Sequence, residues 1–174
     1  MFQVLVFVYE NYWRGDACPQ GNQLERKLNA VGFEAQEIQD ALAWLNGLSL
    51  ATTRITRQGA DATPAPDDQD GRAQQTDRQA IGNSGASMRV FSVAEQNRLG
   101  ADCLGFIRFL ENASILAPHM REIVVDRAMA CDSEPMALDD LKIIVLMVYW
   151  SFGEEPDALV LDELCDDAQD RVAH

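Results

Sequence analysis

Histidine is nearly missing from this chain, with two in 174 residues. His174 stands at the very end, and His119 follows Pro118 at a predicted helix start. An imidazole works in catalysis or ligation only with partners around it, so His119 reads as a solvated or capping residue. Cysteine is also scarce. Cys18, Cys103, Cys131 and Cys165 lie far apart with no C-x-x-C pair, which points to reduced thiols rather than a disulfide framework.

Positive charge is in short supply. Fourteen Lys and Arg face 28 Asp and Glu, a formal net charge of -14. A pI near 4.3 repels nucleic acid and anionic lipid at long range. The phosphate-binding glycine patterns are absent, as is a G-x-S-x-G elbow; "GNSGAS" has the wrong spacing and follows no strand. Asp139-Asp140 and Asp166-Asp167 lack the alternation of a calcium loop. Helix-start electrostatics account for the first pair and a solvated tail for the second. These absences leave no catalytic residue, no metal ligand and no cofactor site to name.

A long apolar run is missing as well. "LKIIVLMVYWSF" is the most apolar stretch, but its uncharged part, residues 143–153, is shorter than the roughly 20 residues a membrane span needs. The apolar start "MFQVLVFVYENYWRGD" has no preceding basic residue, is interrupted by Glu10 and meets no cleavage site, so a cytoplasmic location is expected.

What is present suits a globular core: 47% of residues are hydrophobic. Phe2, Leu5, Val6, Tyr9 and Trp13 share one face of a predicted first helix. "NQLERKLNAVGF" predicts a second, ended by Gly32 in a left-handed cap. "EAQEIQDALAWLNGL" predicts a third, ended by Gly47. Residues 50–56, "LATTRIT", are rich in Thr and Ile and predict a strand; "MRVFS" at 88–92 predicts its partner. Between them, residues 58–87 hold one large aliphatic side chain, Ile81, and no aromatic, the composition of a mobile insertion. After that, "SVAE" is a capping box, Pro118 opens another helix, and Asp139 and Asp140 open the helix of the apolar run. That run has apolar residues on every side, the mark of a buried central helix. A last short helix runs through Leu161 and Leu164.

The expected fold is therefore mainly α. Residues 1–57 with 88–92 form a winged-helix-like module with a short β-hairpin, and 58–87 an inflated wing. Residues 93–165 form a helical bundle, and 166–174 an acidic tail.

Several stretches together, "MFQVLVFVYENY", "VGFEAQEIQDALAWL", "SMRVFSVAEQNRLGADCLGFIRFLE", "REIVVDRAMA" and "LDDLKIIVLMVYW", resemble the Smg family of bacterial proteins. The resemblance covers nearly the whole chain outside the mobile segment and the last few residues. Ala94 stands where relatives carry a second acidic residue before Glu95. The resemblance implies a mostly helical cytoplasmic protein. It brings no catalytic residue and no ligand, and the family's molecular function is not established.

Protein recognition is the reading that survives. The predicted third helix, in the recognition position, carries Glu34, Glu37 and Asp40 without Lys or Arg, so phosphates would repel it. An unidentified protein partner is expected, with Trp44 as a weak candidate contact; an equal reading has Trp44 completing the core. Nucleic acid is the alternative partner, touched by Arg54, Arg57 and Arg89 around the wing. A third reading is a small-molecule pocket in the C-terminal bundle. The neighbours Glu122, Asp126 and Arg127 read as helix-surface ion pairs. Oligomeric state is left open.

Overall fold

The computed structural model describes residues 1–12, 21–60, 89–131 and 135–154. Six helices follow in order: α1 (Phe2–Tyr12), α2 (Gly21–Val31), α3 (Ala35–Ala60), α4 (Val93–Asn112), α5 (Pro118–Met129) and α6 (Leu138–Phe152). The apolar run is α6, and its neighbours bury it. Every residue from Leu141 to Tyr149 is buried, including Lys142 at 5% exposure. The helices packed around it are α1, α3, α4 and α5. The core is continuous from Val4, Leu5 and Val8 of α1, through Ile38, Trp44 and Leu48 of α3, to Ile107, Val124 and Ile144.

Local chemistry sets the helix ends. At the end of α2, the Phe33 and Gly32 N–H groups bond the Leu28 and Asn29 carbonyls, and Gly32 takes φ +106°. Gly153 ends α6 the same way, with Gly153 N–H on Trp150 O and Glu154 N–H on Tyr149 O. This six-to-one plus five-to-two pattern requires a left-handed residue, the conformation glycine tolerates best. Ser92 and Glu95 close the predicted capping box at the start of α4. Replacing Ser92 by Ala is expected to cost about 1 kcal/mol. A urea melt checks this, and an unchanged midpoint would show that the box adds nothing. Within α4, Gly100 (φ 69°, ψ 176°) breaks the helical path, so the helix kinks there.

The winged-helix expectation is overturned. Among the described residues there is no strand, and therefore no β-hairpin and no wing. Residues 50–56 continue α3, which runs through Gly47 to Ala60. Two forces decide this. Thr52, Thr53 and Thr56 donate their hydroxyls to the carbonyls four residues back, at Leu48, Ser49 and Thr52, so their polar groups are satisfied inside a helix. Leu48, Ala51 and Ile55 also face the core at helical spacing. The other predicted strand is non-helical chain from Arg89 to Ser92, leading into the α4 cap. Most of the expected insertion 58–87, and the helix expected through Leu161 and Leu164, lie outside the described residues. α2 and α3 are joined by the short Gly32 turn and pack on each other.

Candidate apolar groove on the third helix

The sequence-predicted site residues fall in different places. Trp44 is 4% exposed, and its indole N–H donates to the Arg127 carbonyl at 3.1 Å. That bond joins α3 to α5 inside the core. Arg54 and Arg57 are exposed on the last turns of α3. Arg89 lies apart from them. Its guanidinium pairs with Glu95 at 2.9 Å and Glu122 at 2.8 Å, and its Cζ sits 4.7 Å from the Phe91 ring centroid. Arg121 extends the chain of charges by bonding both Glu122 and Glu111. Arg127 pairs with Asp126 at 2.7 Å. The structure thus brings Arg54 near Arg57 but commits Arg89 to an ion-pair lattice between α4 and α5. His119 is exposed and stacks edge-on against Phe152, with ring centroids 5.4 Å apart.

Electrostatics fix what that lattice does. Burial opposes the Arg89 charge, but the carboxylates of Glu95 and Glu122 outweigh it and hold its pKa above the ordinary value. The Arg89 hydrogen bond, against some burial and with help from Ser92, holds Glu95 below the usual carboxylate range. A lowered carboxyl pKa stabilises the fold above the ordinary value, and the contribution fades as pH falls through the lowered one. Glu95→Gln should therefore be less stable than the native chain at neutral pH, and the gap should close in acid. Urea midpoints at both pH values test it; a gap that persists in acid would refute the assignment.

The buried thiols are held out of chemistry. Cys103 donates to Met136 O and Cys131 to Arg127 O. Burial, with the Asp102 and Asp140 carboxylates, pushes Cys103 up to about 11. Burial, partly offset by the Trp44 N–H, pushes Cys131 up to about 11 as well. Thiolate is the reactive form. Iodoacetamide at mildly alkaline pH should leave Cys103 and Cys131 unlabelled in the folded chain and label both in denaturant. Labelling of either thiol in the folded protein, read by peptide mass, would contradict this.

A different feature stands out as a place to bind something. A groove of about 590 Å³ opens where α2, α3 and α6 meet. Its apolar side chains are Leu24, Leu42, Leu45, Leu48 and Trp150, and its polar ones Asn46, Ser49, Thr52, Thr53 and Ser151. It forms because α3 has 26 residues and α2, folded back on it by the Gly32 turn, has only 11. The second half of α3 has no α2 beside it. Three of the groove's four hydroxyls, those of Thr52, Thr53 and Ser151, are turned to the backbone. Thr53 donates to Ser49 O, and Thr52 and Ser151 lie 3.0 Å apart between the carbonyls of Leu48 and Val148. Among the described residues, no carboxylate, imidazole, amine or thiol lines the groove. Its shape and lining suit an apolar side chain or an amphipathic segment with a few hydrogen bonds at the edge.

Sequence reasoning missed this groove. Leu24, Leu42 and Leu45 stand at the apolar positions of the predicted second and third helices, and Trp150 stands in the apolar run, so all four pass for core side chains. One signal was available: from residue 42 to 57 the chain carries Arg54 and Arg57 and no acidic residue, in a protein of net charge -14.

Among the described residues, no group of three or more His, Cys, Asp or Glu is placed to hold a metal ion, and no helix is long and apolar enough to cross a membrane. The described fold and groove define a class: a helical protein with an apolar, uncharged groove on one long helix. Residues 1–174 match the family described as "Protein of unknown function (DUF494)". The chain belongs to this family, in agreement with the resemblance to Smg proteins read from the sequence. It is 53% identical to a "Protein Smg homolog" of Leptothrix cholodnii and 51% identical to one of Methylibium petroleiphilum, over the full length of each chain. A third, from Herminiimonas arsenicoxydans, is 43% identical, also over the full length of both chains. No solved structure matches the chain significantly.

Proposed function

We propose that this protein is a non-enzymatic cytoplasmic adaptor that recognises another protein through the α2/α3/α6 groove. The observation that carries this reading is the lining of the groove: three half-buried apolar side chains, Leu42, Leu45 and Trp150, over the buried Leu24 and Leu48, beside hydroxyl and amide groups and with no titratable side chain among the described lining residues. Such a surface holds the apolar face of a peptide helix by burial and fixes its register with edge hydrogen bonds. The acidic exterior fits this role too, because it disfavours adventitious contact with nucleic acid.

The test is affinity capture of the tagged chain from its own cells, in nuclease-treated and untreated halves, beside a Ser49→Arg variant. Ser49 is exposed in the groove, so the arginine obstructs it without entering the core. A partner that survives nuclease, binds the purified chain directly and is lost with Ser49→Arg supports the proposal. A partner set that vanishes with nuclease would instead favour nucleic-acid contact through Arg54 and Arg57.

A further inference from the structure

The outer side of α4 holds an aromatic ring in water: Phe109 is 58% exposed. Beyond the kink at Gly100, residues 101–112 bury Cys103, Ile107 and Leu110 and expose Ala101, Asp102, Gly105, Arg108 and Phe109. At 3.6 residues per turn, these five lie within about 60° of Gly105, on one face. A Cβ at Gly105 would meet no neighbouring side chain within 4 Å, so the glycine is a notch in that face. Among the described residues, neither Asp102 nor Arg108 makes an ion pair; the Arg108 guanidinium lies over the Phe91 ring, 5.8 Å from its centroid. We propose that this face pairs with the same face of a second copy of the chain, the two α4 helices running antiparallel about a two-fold axis at Gly105.

The face is complementary to itself. In an antiparallel pair centred on Gly105, residues equally far from it on either side fall at the same level. Arg108 stands three positions after the centre and Asp102 three before, so each arginine meets the second copy's Asp102. Phe109 likewise meets the second copy's Ala101, beside the Gly105 notch. Two-fold symmetry repeats both contacts, giving two ion pairs and two aromatic contacts from one helix. A parallel pair would set Asp102 against Asp102 and Arg108 against Arg108, so charge selects the antiparallel one. Exposed ion pairs contribute little affinity by themselves. Here they set direction and register, and burial of Phe109 supplies the attraction. No residue of α4 lines the α2/α3/α6 groove, so the dimer carries two open grooves. That bivalence rests on the adaptor reading; the pairing does not.

The test is sedimentation equilibrium of the full-length purified chain in physiological salt. A screening length of about 8 Å there suppresses repulsion between two chains of net charge -14. The samples are the native chain, Asp102→Arg, Arg108→Asp, and an equal mixture of these two variants. The native chain is expected to dimerise reversibly as its concentration rises. Each single variant sets like charges against each other and should dimerise at least about tenfold more weakly, with its far-ultraviolet thermal melt kept. The mixture should recover the dimer, because a copy with arginine at both positions then faces one with aspartate at both. Gly105→Gln favours the helix but fills the notch, so it should weaken the dimer without loss of fold. A native chain that stays monomeric, a dimer as tight in Gly105→Gln, or charge variants that stay apart when mixed would overturn the proposal. No cellular partner is needed, so failure here leaves the adaptor reading standing.

Discussion

Ile144→Ala should lower the unfolding free energy by about 2–5 kcal/mol. Ile144 is fully buried in α6, and α1, α3, α4 and α5 all pack on this helix. Truncation removes apolar area and leaves a cavity that four packed neighbours cannot readily fill. A protein of this size is typically stable by only about 5–15 kcal/mol, so the loss is a large fraction of the total. Because the core residues of α1, α3 and α6 form one cluster, the loss should be felt throughout. Urea unfolding followed by circular dichroism and by tryptophan fluorescence should give a single lowered midpoint with an unchanged slope. Two separated transitions would mean that the N-terminal helices and the α4–α6 helices do not share a core.

Trp44→Ala should cost about 3–5 kcal/mol. The indole fills the space between α3 and α5, and its N–H satisfies the Arg127 carbonyl. The milder Trp44→Phe keeps most of the packing and gives up that bond, at about 1 kcal/mol. The pair of variants separates packing from hydrogen bonding. It also distinguishes a core tryptophan from a contact residue. If Trp44→Ala melted like the native chain but lost a captured partner, the side chain would belong to an interface and the packing described here would be wrong.

The buried helix was legible because its evidence is local. A run apolar on all sides, opened by two aspartates and closed by glycine, leaves little choice but a helix inside other helices. The capping box at Ser92 and the left-handed end at Gly32 were legible for the same reason. Residues 50–56 were not, because Thr and Ile favour strands only when a sheet surface is there to receive them. Here their hydroxyls bond back along the helix and their apolar side faces the core. Gly47 misled in another way. It sits within α3, and a Cβ there would overlap Arg127 Nη1, so the glycine makes room for a side chain 80 positions away. The groove was hidden because it depends on two helix lengths and on the end of α6, which no single stretch of sequence displays. Of the three arginines read as one surface, only Arg54 and Arg57 stay together, since the ion pairs of Arg89 are made with residues on α4 and α5.

The most direct test of the account is a titration of the captured partner against two purified chains, native and Ser49→Arg, by calorimetry. The account predicts affinity lower by about tenfold or more in the variant, at least ~1.4 kcal/mol, with the melting temperature unchanged. Equal affinity for both chains would show that the α2/α3/α6 groove is not where this protein meets its partner.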